Sequence, residues 1–167
     1  ERMNAPTNTR YRHLTVQRFA GAAGADVTGV DLSQDVSDEV LAEIRAALLD
    51  NLVICIRDQH FTPAQQLAFA TRWGRIHLHP YMQGMQDFPE ILAIIKKPAD
   101  KKNFGGAWHT DQMFSPSPAM ATMLYALEVP SAGGDTLFTN QYLAYEALSD
   151  GMKALAGQLR TVCVGDN

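Results

Sequence analysis

The sequence predicts a mostly β chain with flanking helices (α+β), built on a jelly-roll, or double-stranded β-helix, cupin-like core that this chain holds only in part. Three observations predict it. Alternating runs carrying Val and Thr open the sequence, capped helical segments interrupt them, and the second half breaks into brief apolar runs divided by Pro and Gly. Strands, then helices, then short strands with Pro/Gly turns is the order expected of a β core with helical padding. With 167 residues, 46% hydrophobic and 19% charged, the chain can build one domain over 1–167 and is too apolar to remain disordered.

Residues 1–9 are polar and read as loose. Leu14–Phe19 and Ala25–Leu32 alternate and read as two strands around a Gly21–Gly24 turn. Ser37 offers an N-cap, with Asp38 and Glu39 in the first turn where free N–H groups favour acids. Val40, Leu41, Ile44 and Leu48 then repeat at helical spacing to about Asp50, and Leu52–Ile56 reads as a buried strand. Thr62, Pro63 and Gln65 form a capping box for a second helix, which Gly74 ends. Ile91–Ile95 reads as another buried strand. Further strands are expected near Ala107–Thr110, Met120–Glu128 and Asp135–Phe138, and helices near Gln141–Leu148 and Asp150–Leu159.

A net charge of -4 and a pI near 5.7 argue against a nucleic-acid partner, which needs a basic face. The one cationic cluster, Lys96, Lys97, Lys101 and Lys102, reads as a solvated loop. Cys55 and Cys163 support no disulfide framework, and Cys55 reads as a small buried hydrophobe. No apolar stretch reaches membrane-spanning length and no signal-peptide pattern opens the sequence, so a cytoplasmic setting without a membrane partner is the default expectation.

The chemistry centres on Trp108-His109-Thr110-Asp111. On a strand, side chains two apart share a face, so His109 and Asp111 would project together. An imidazole nitrogen and a carboxylate oxygen at that spacing can form two legs of a two-His, one-carboxylate facial triad, which leaves positions open on iron. Alone, His-x-Asp is a weak signal, equally at home as a surface His beside a solvated Asp. His77 and His79 form a second pair, but two His without a third clustered ligand make a poor metal site.

Context sharpens the reading. Ala107-Trp108-His109-Thr110-Asp111, Phe114, Pro118, Glu128-Val129-Pro130, Gly133-Gly134-Asp135-Thr136-Leu137-Phe138 and Ala144-Tyr145-Glu146-Ala147-Leu148-Ser149 together resemble the taurine dioxygenase family of Fe(II)- and 2-oxoglutarate-dependent dioxygenases. So do Gly29-Val30-Asp31-Leu32, Phe61-Thr62-Pro63-Ala64-Gln65-Gln66, Phe69-Ala70 and Trp73-Gly74, so the resemblance covers most of the chain in order. It implies that His109 and Asp111 are catalytic iron ligands, that Thr136 contacts the cosubstrate 2-oxoglutarate, and that His79 faces the anionic end of the substrate. Gln112 matches a position lining the substrate pocket in some members. The implied reaction consumes O2, yields succinate and CO2, and hydroxylates a small organic anion: a sulfonate, an alkyl sulfate, or a carboxylate such as an aryloxyalkanoate. Met82 aligns where taurine dioxygenase has a tyrosine, and Gly105 where it has a substrate-contacting asparagine, so taurine itself does not follow. Homo-oligomerisation is left open.

Two other classes compete. One is a metal-free jelly-roll binding protein that has lost catalysis, against which His109, Asp111 and Thr136 are all intact. The other is an iron halogenase, which needs an open position for chloride where Asp111 supplies a carboxylate. The resemblance also implies a third iron ligand and a 2-oxoglutarate-binding Arg from strands downstream. No His follows Asp111, and Arg160, the only Arg after it, falls in the expected last helix. The expectation is therefore an N-terminal portion of a longer enzyme.

Overall fold

The computed structural model describes residues 10–101 and 104–164. The expected loose leader at 1–9, Lys102 of the cationic cluster, and the closing residues 165–167 lie outside the described residues. The chain divides into two compact units, each drawn from two stretches: 1–62 with 128–159, and 63–127 with 160–167.

In the first unit, β1 (Thr15–Arg18) and β2 (Ala25–Thr28) pair antiparallel, Thr15 opposite Thr28 and Arg18 opposite Ala25. The connecting turn works because Gly24 sits at φ +107° with the Phe19 ring against it, where an added Cβ would lie 2.4 Å from a ring carbon. Helix α1 (Asp38–Asn51) follows, and β3 (Ile54–Ile56) returns parallel to β2, giving the order β1-β2-β3. Ser37 caps α1 as expected, its side chain accepting from the Val40 N–H at 3.3 Å. Leu52, expected to open the strand, instead closes α1 at φ +66°. The apolar stripe of α1 buries Ile44 and Ala47 completely, as Ala25 and Val27 are on β2. Burying a side chain the size of Ile44 stabilises the unit by about 1.5–3 kcal/mol.

Charge fastens the chain entering β1 to α1. Glu43 accepts backbone N–H bonds from Arg12, His13 and Leu14 at 2.9, 3.0 and 3.2 Å. Partial burial pushes the Glu43 carboxyl up, but those N–H groups outweigh it and hold it below its ordinary value. Nearby, the Tyr11 hydroxyl donates to Asp50 at 2.9 Å, and burial, then that bond, raise the phenol. Later in the chain α3 (Gln141–Glu146) and α4 (Asp150–Ala156) carry caps at Asn140 and Ser149. Asn140 also donates to the Ala22 carbonyl at 2.7 Å, tying α3 to the β1–β2 turn.

In the second unit α2 (Pro63–Thr71) starts at its expected proline. It then tightens through i−3 bonds from Arg72, Trp73 and Gly74 before Gly74 turns away at φ +145°. Phe69 is buried and meets Trp73 edge-on at 6.2 Å.

Four expected strands differ from the structure. Residues 91–95, 107–110, 120–128 and 135–138 join no ladder among the described residues. Many of their apolar side chains face solvent: Ile95 is 74% exposed, Leu127 86% and Leu137 71%, while Ile91, Leu92, Met123 and Tyr125 are half-buried. Apolar alternation reports a face that needs burial, but a ladder also needs a neighbouring strand to exchange N–H and C=O bonds. Cys55 is half-buried rather than fully buried, and both cysteines are free. Arg160 lies beyond the end of α4, not within it. Lys96, Lys97 and Lys101 are exposed on a loop, as expected. Among the described residues no helix is long and apolar enough to cross a membrane.

Candidate functional site

His109 and Asp111 come together, though by a different local structure from the one expected. Residues 108–110 are non-helical and unpaired, and a turn begins at Asp111. Gln112 takes φ +53° and its carbonyl accepts from the Ser115 N–H at 2.9 Å, closing that turn. The outcome places His109 Nε2 3.1 Å from Asp111 Oδ1.

The remaining atoms of the pair are also engaged. His109 Nδ1 lies 2.8 Å from the Ala107 carbonyl. A carbonyl only accepts, so Nδ1 carries the proton and a neutral ring presents a bare lone pair at Nε2. That lone pair faces a carboxylate oxygen, and the contact is favourable only with a positive centre between them, a proton or a metal ion. Two ligands at about 2.1 Å and a right angle on an octahedral ion stand about 3.0 Å apart, so the observed spacing suits cis ligation. Thr122 Oγ1 donates to the other carboxylate oxygen, Asp111 Oδ2, at 2.8 Å. Gly105, at φ +65°, lies beside the imidazole, and an added Cβ would stand 3.3 Å from His109 Cε1. Both side chains of the pair are about half exposed. Among the described residues no group of three or more His, Cys, Asp or Glu could hold a metal ion.

His79 stands in an aromatic cluster, its ring 6.2 Å from Tyr81 and 6.5 Å from Phe114, with Tyr81 and Phe114 5.6 Å apart. The Tyr81 N–H donates to His79 Nδ1 at 3.2 Å. In the neutral ring the proton therefore sits on Nε2, a donor able to meet an anionic oxygen. The aromatic partner near His79 is thus Tyr81, one residue before the aligned Met82. Gln112 Oε1 is buried and accepts no hydrogen bond among the described residues. His77 belongs to a separate cavity, lined also by Arg75 and Ser117. Thr136 is exposed, follows Gly133 and Gly134 at φ +78° and +73°, and belongs to the first unit, whereas the other four predicted site residues belong to the second.

Sequence reasoning missed Thr122 and Tyr81. Thr122 is eleven residues from its acceptor and sits in a largely apolar run that reads as a strand, so no local signal marks it. Tyr81 was legible as an aromatic beside a His-Pro pair.

A family model described as the taurine catabolism dioxygenase TauD, TfdA family matches residues 11–166. The chain belongs to this family. It is 32% identical over 150 residues to an alpha-ketoglutarate-dependent sulfate ester dioxygenase of Pseudomonas putida, covering 89% of this chain and 49% of that protein. It is 37% identical over 154 residues to pentalenolactone F synthase of Streptomyces avermitilis, covering 85% and 50%. Among solved structures it is similar to a taurine dioxygenase from Burkholderia xenovorans, with a TM-score of 0.77 and 33% identity over 88% of this chain and 52% of that one. The chain therefore spans about half the length of the relatives it matches.

Proposed function

We propose that this chain is the N-terminal portion of an Fe(II)- and 2-oxoglutarate-dependent dioxygenase with a jelly-roll core, hydroxylating a small organic anion. One observation carries the metal reading: the 3.1 Å approach of His109 Nε2 to Asp111 Oδ1, with His109 Nδ1 already committed to the Ala107 carbonyl. These residues fit Fe(II) as two ligands of a facial triad. When bound with 2-oxoglutarate, the metal supplies activation of O2 for hydroxylation, with succinate and CO2 released. The third ligand and the cation for the cosubstrate's far carboxylate are assigned to the further length that the relatives have.

The chain's own residues divide the remaining tasks. His109 keeps a single tautomer through its Ala107 bond, so its Nε2 lone pair is ready for ligation without rearrangement. Asp111 adds a negative charge that lowers the metal's net charge and raises its affinity. Thr136 donates its hydroxyl to a 2-oxoglutarate carboxylate. His79 presents Nε2–H to the substrate anion, with the rings of Tyr81 and Phe114 packed edge-on beside it. Gln112 lines the substrate pocket. The substrate class is supported by relatives described as dioxygenases of sulfate esters, sulfonates and (S)-phenoxypropionate. The setting proposed is the cytoplasm.

Anaerobic addition of Fe(II) and 2-oxoglutarate to the intact protein is expected to produce a weak visible charge-transfer band. Sulfonates, alkyl sulfates and aryloxyalkanoates are then scored by succinate release. Asp111→Ala is expected to abolish both the band and turnover, because removing a ligand anion lowers iron affinity. Full hydroxylase activity in Asp111→Ala overturns the ligand assignment. Binding of an organic anion without any metal dependence would identify a metal-free binding protein instead.

A further inference from the structure

We infer that Thr122 is a positioning residue for the metal site, holding Asp111 as a one-oxygen ligand. The inference rests on the reading of His109 and Asp111 as ligands and goes beyond it in assigning a role to a residue outside the pair. A carboxylate can ligate through one oxygen or two, and it can rotate about its last bond. In this structure its two oxygens have different partners: Oδ1 faces His109 Nε2 at 3.1 Å, and Oδ2 accepts the Thr122 hydroxyl at 2.8 Å. A hydroxyl has one proton, and here it is spent on Oδ2. That bond fixes the carboxylate plane with Oδ1 turned toward the imidazole and keeps Oδ2 off the metal. A two-oxygen mode would take a further coordination position, one that a cosubstrate and O2 need open.

Both partners of the bond are stiff or short. Thr122 is β-branched, with few staggered positions for its Oγ1, and Asp has only two side-chain torsions. Across eleven residues of sequence the bond also ties the turn starting at Asp111 to the run around Thr122, so it sets the orientation of that turn's first residue. Thr122 is exposed, and an exposed neutral donor adds little to fold stability. Its contribution is therefore one of aim, and outer partners of metal ligands are worth about 10- to 100-fold in affinity or activity.

The test uses the intact protein and Fe(II) itself, titrated anaerobically against a chromophoric chelator, with thermal unfolding of the metal-free protein alongside. Thr122→Val keeps the shape and removes the donor, and is expected to raise the Fe(II) Kd about 10- to 100-fold with the unfolding temperature unchanged. Thr122→Ser restores a hydroxyl and is expected to return the Kd to within about threefold of the parent, the difference a neighbouring methyl leaves. Should Thr122→Val fold poorly, Thr122→Ala removes the same donor with less bulk and is read the same way. Wild-type Fe(II) affinity in the Val and Ala variants, with affinity lost in Asp111→Ala, overturns the role of Thr122 and leaves the ligand reading standing. Equal weakening in Val and Ser, with lowered unfolding temperature in both, also overturns it by making Thr122 a packing residue. Unchanged affinity in Asp111→Ala overturns the ligand reading and this inference with it.

Discussion

Residues 10–62 and residues 104–138 answer to different kinds of information. The first stretch closes on itself: two strands meet around a glycine turn, a capped helix covers them, and a third strand returns beside the second. It has a core of its own, with Ala25, Val27, Ile44 and Ala47 fully buried, although Phe19 and Leu49 remain exposed. The second stretch holds the His109–Asp111 pair and no helix or strand among its described residues. Leu124, Leu127, Val129, Leu137 and Phe138 are all exposed, yet within it His109, Asp111 and Thr122 make short, specific contacts. Close polar contacts are therefore made here although these residues join no ladder among the described residues. The difference teaches that short-range polar geometry and long-range pairing are separable.

The largest effect tests the self-sufficiency of the first stretch. Ile44→Ala removes a fully buried side chain from the face of α1 and leaves a cavity against β2. The expected loss is about 3 kcal/mol, read from urea midpoints on the intact protein. Fe(II) affinity measured below the unfolding transition should not change. A loss under about 1 kcal/mol would mean that this core does not carry the fold it covers.

A smaller effect sharpens the division within the chemistry. Thr136→Val removes one hydroxyl donor and should raise the requirement for 2-oxoglutarate by about 1–3 kcal/mol. On the proposed reading, His79→Ala should weaken the organic anion by a similar amount and leave substrate-independent 2-oxoglutarate turnover intact, because the Tyr81 N–H occupies Nδ1 and leaves Nε2–H as the donor. Separate titrations of the two compounds decide it. The reverse pattern would mean that the roles proposed for Thr136 and His79 are exchanged.

What was legible follows the same line. Ser37 and Pro63 announce their helices, because an N-cap and a first-turn proline act within a few residues of the start; the caps at Asn140 and Ser149 emerged only in the structure. The β1–β2 hairpin was legible from alternation on either side of a glycine turn. His109 and Asp111 were legible as a pair because two-residue spacing keeps them close in a strand or in a turn, so the expected neighbourhood held although the expected strand did not. The runs at 91–95, 120–128 and 135–138 were misread for a physical reason. Their composition records a need for a partner, and composition cannot say whether the partner is present. Thr122 was illegible because its role depends on an acceptor eleven residues away.

The smallest effect concerns the link that holds the entry to β1. Glu43 accepts N–H bonds from Arg12, His13 and Leu14, and its carboxyl is held below the ordinary value. A carboxyl depressed in the folded state binds protons more weakly there than in the unfolded chain. Its stabilising contribution is therefore complete above the unfolded value, near pH 4–5, and is lost as pH falls through the lower folded value. Glu43→Gln keeps an oxygen that can accept from one or two of the N–H groups but removes the charge that strengthens all three bonds. Because the carboxylate is only partly shielded from water, the expected loss at pH 7 is about 1 kcal/mol rather than the full sum of three charged bonds. Urea unfolding of parent and variant at pH 7 and at pH 3 measures it. The gap should be largest at pH 7 and narrow at pH 3, as pH falls below the ordinary carboxyl value toward the lower folded one. Asp31, also depressed by its bonds from Ser33, titrates identically in both proteins and cancels from the difference. A gap that stays constant with pH would show that Glu43 acts through its shape in the packing, and that the local closure of this stretch owes nothing to its charge.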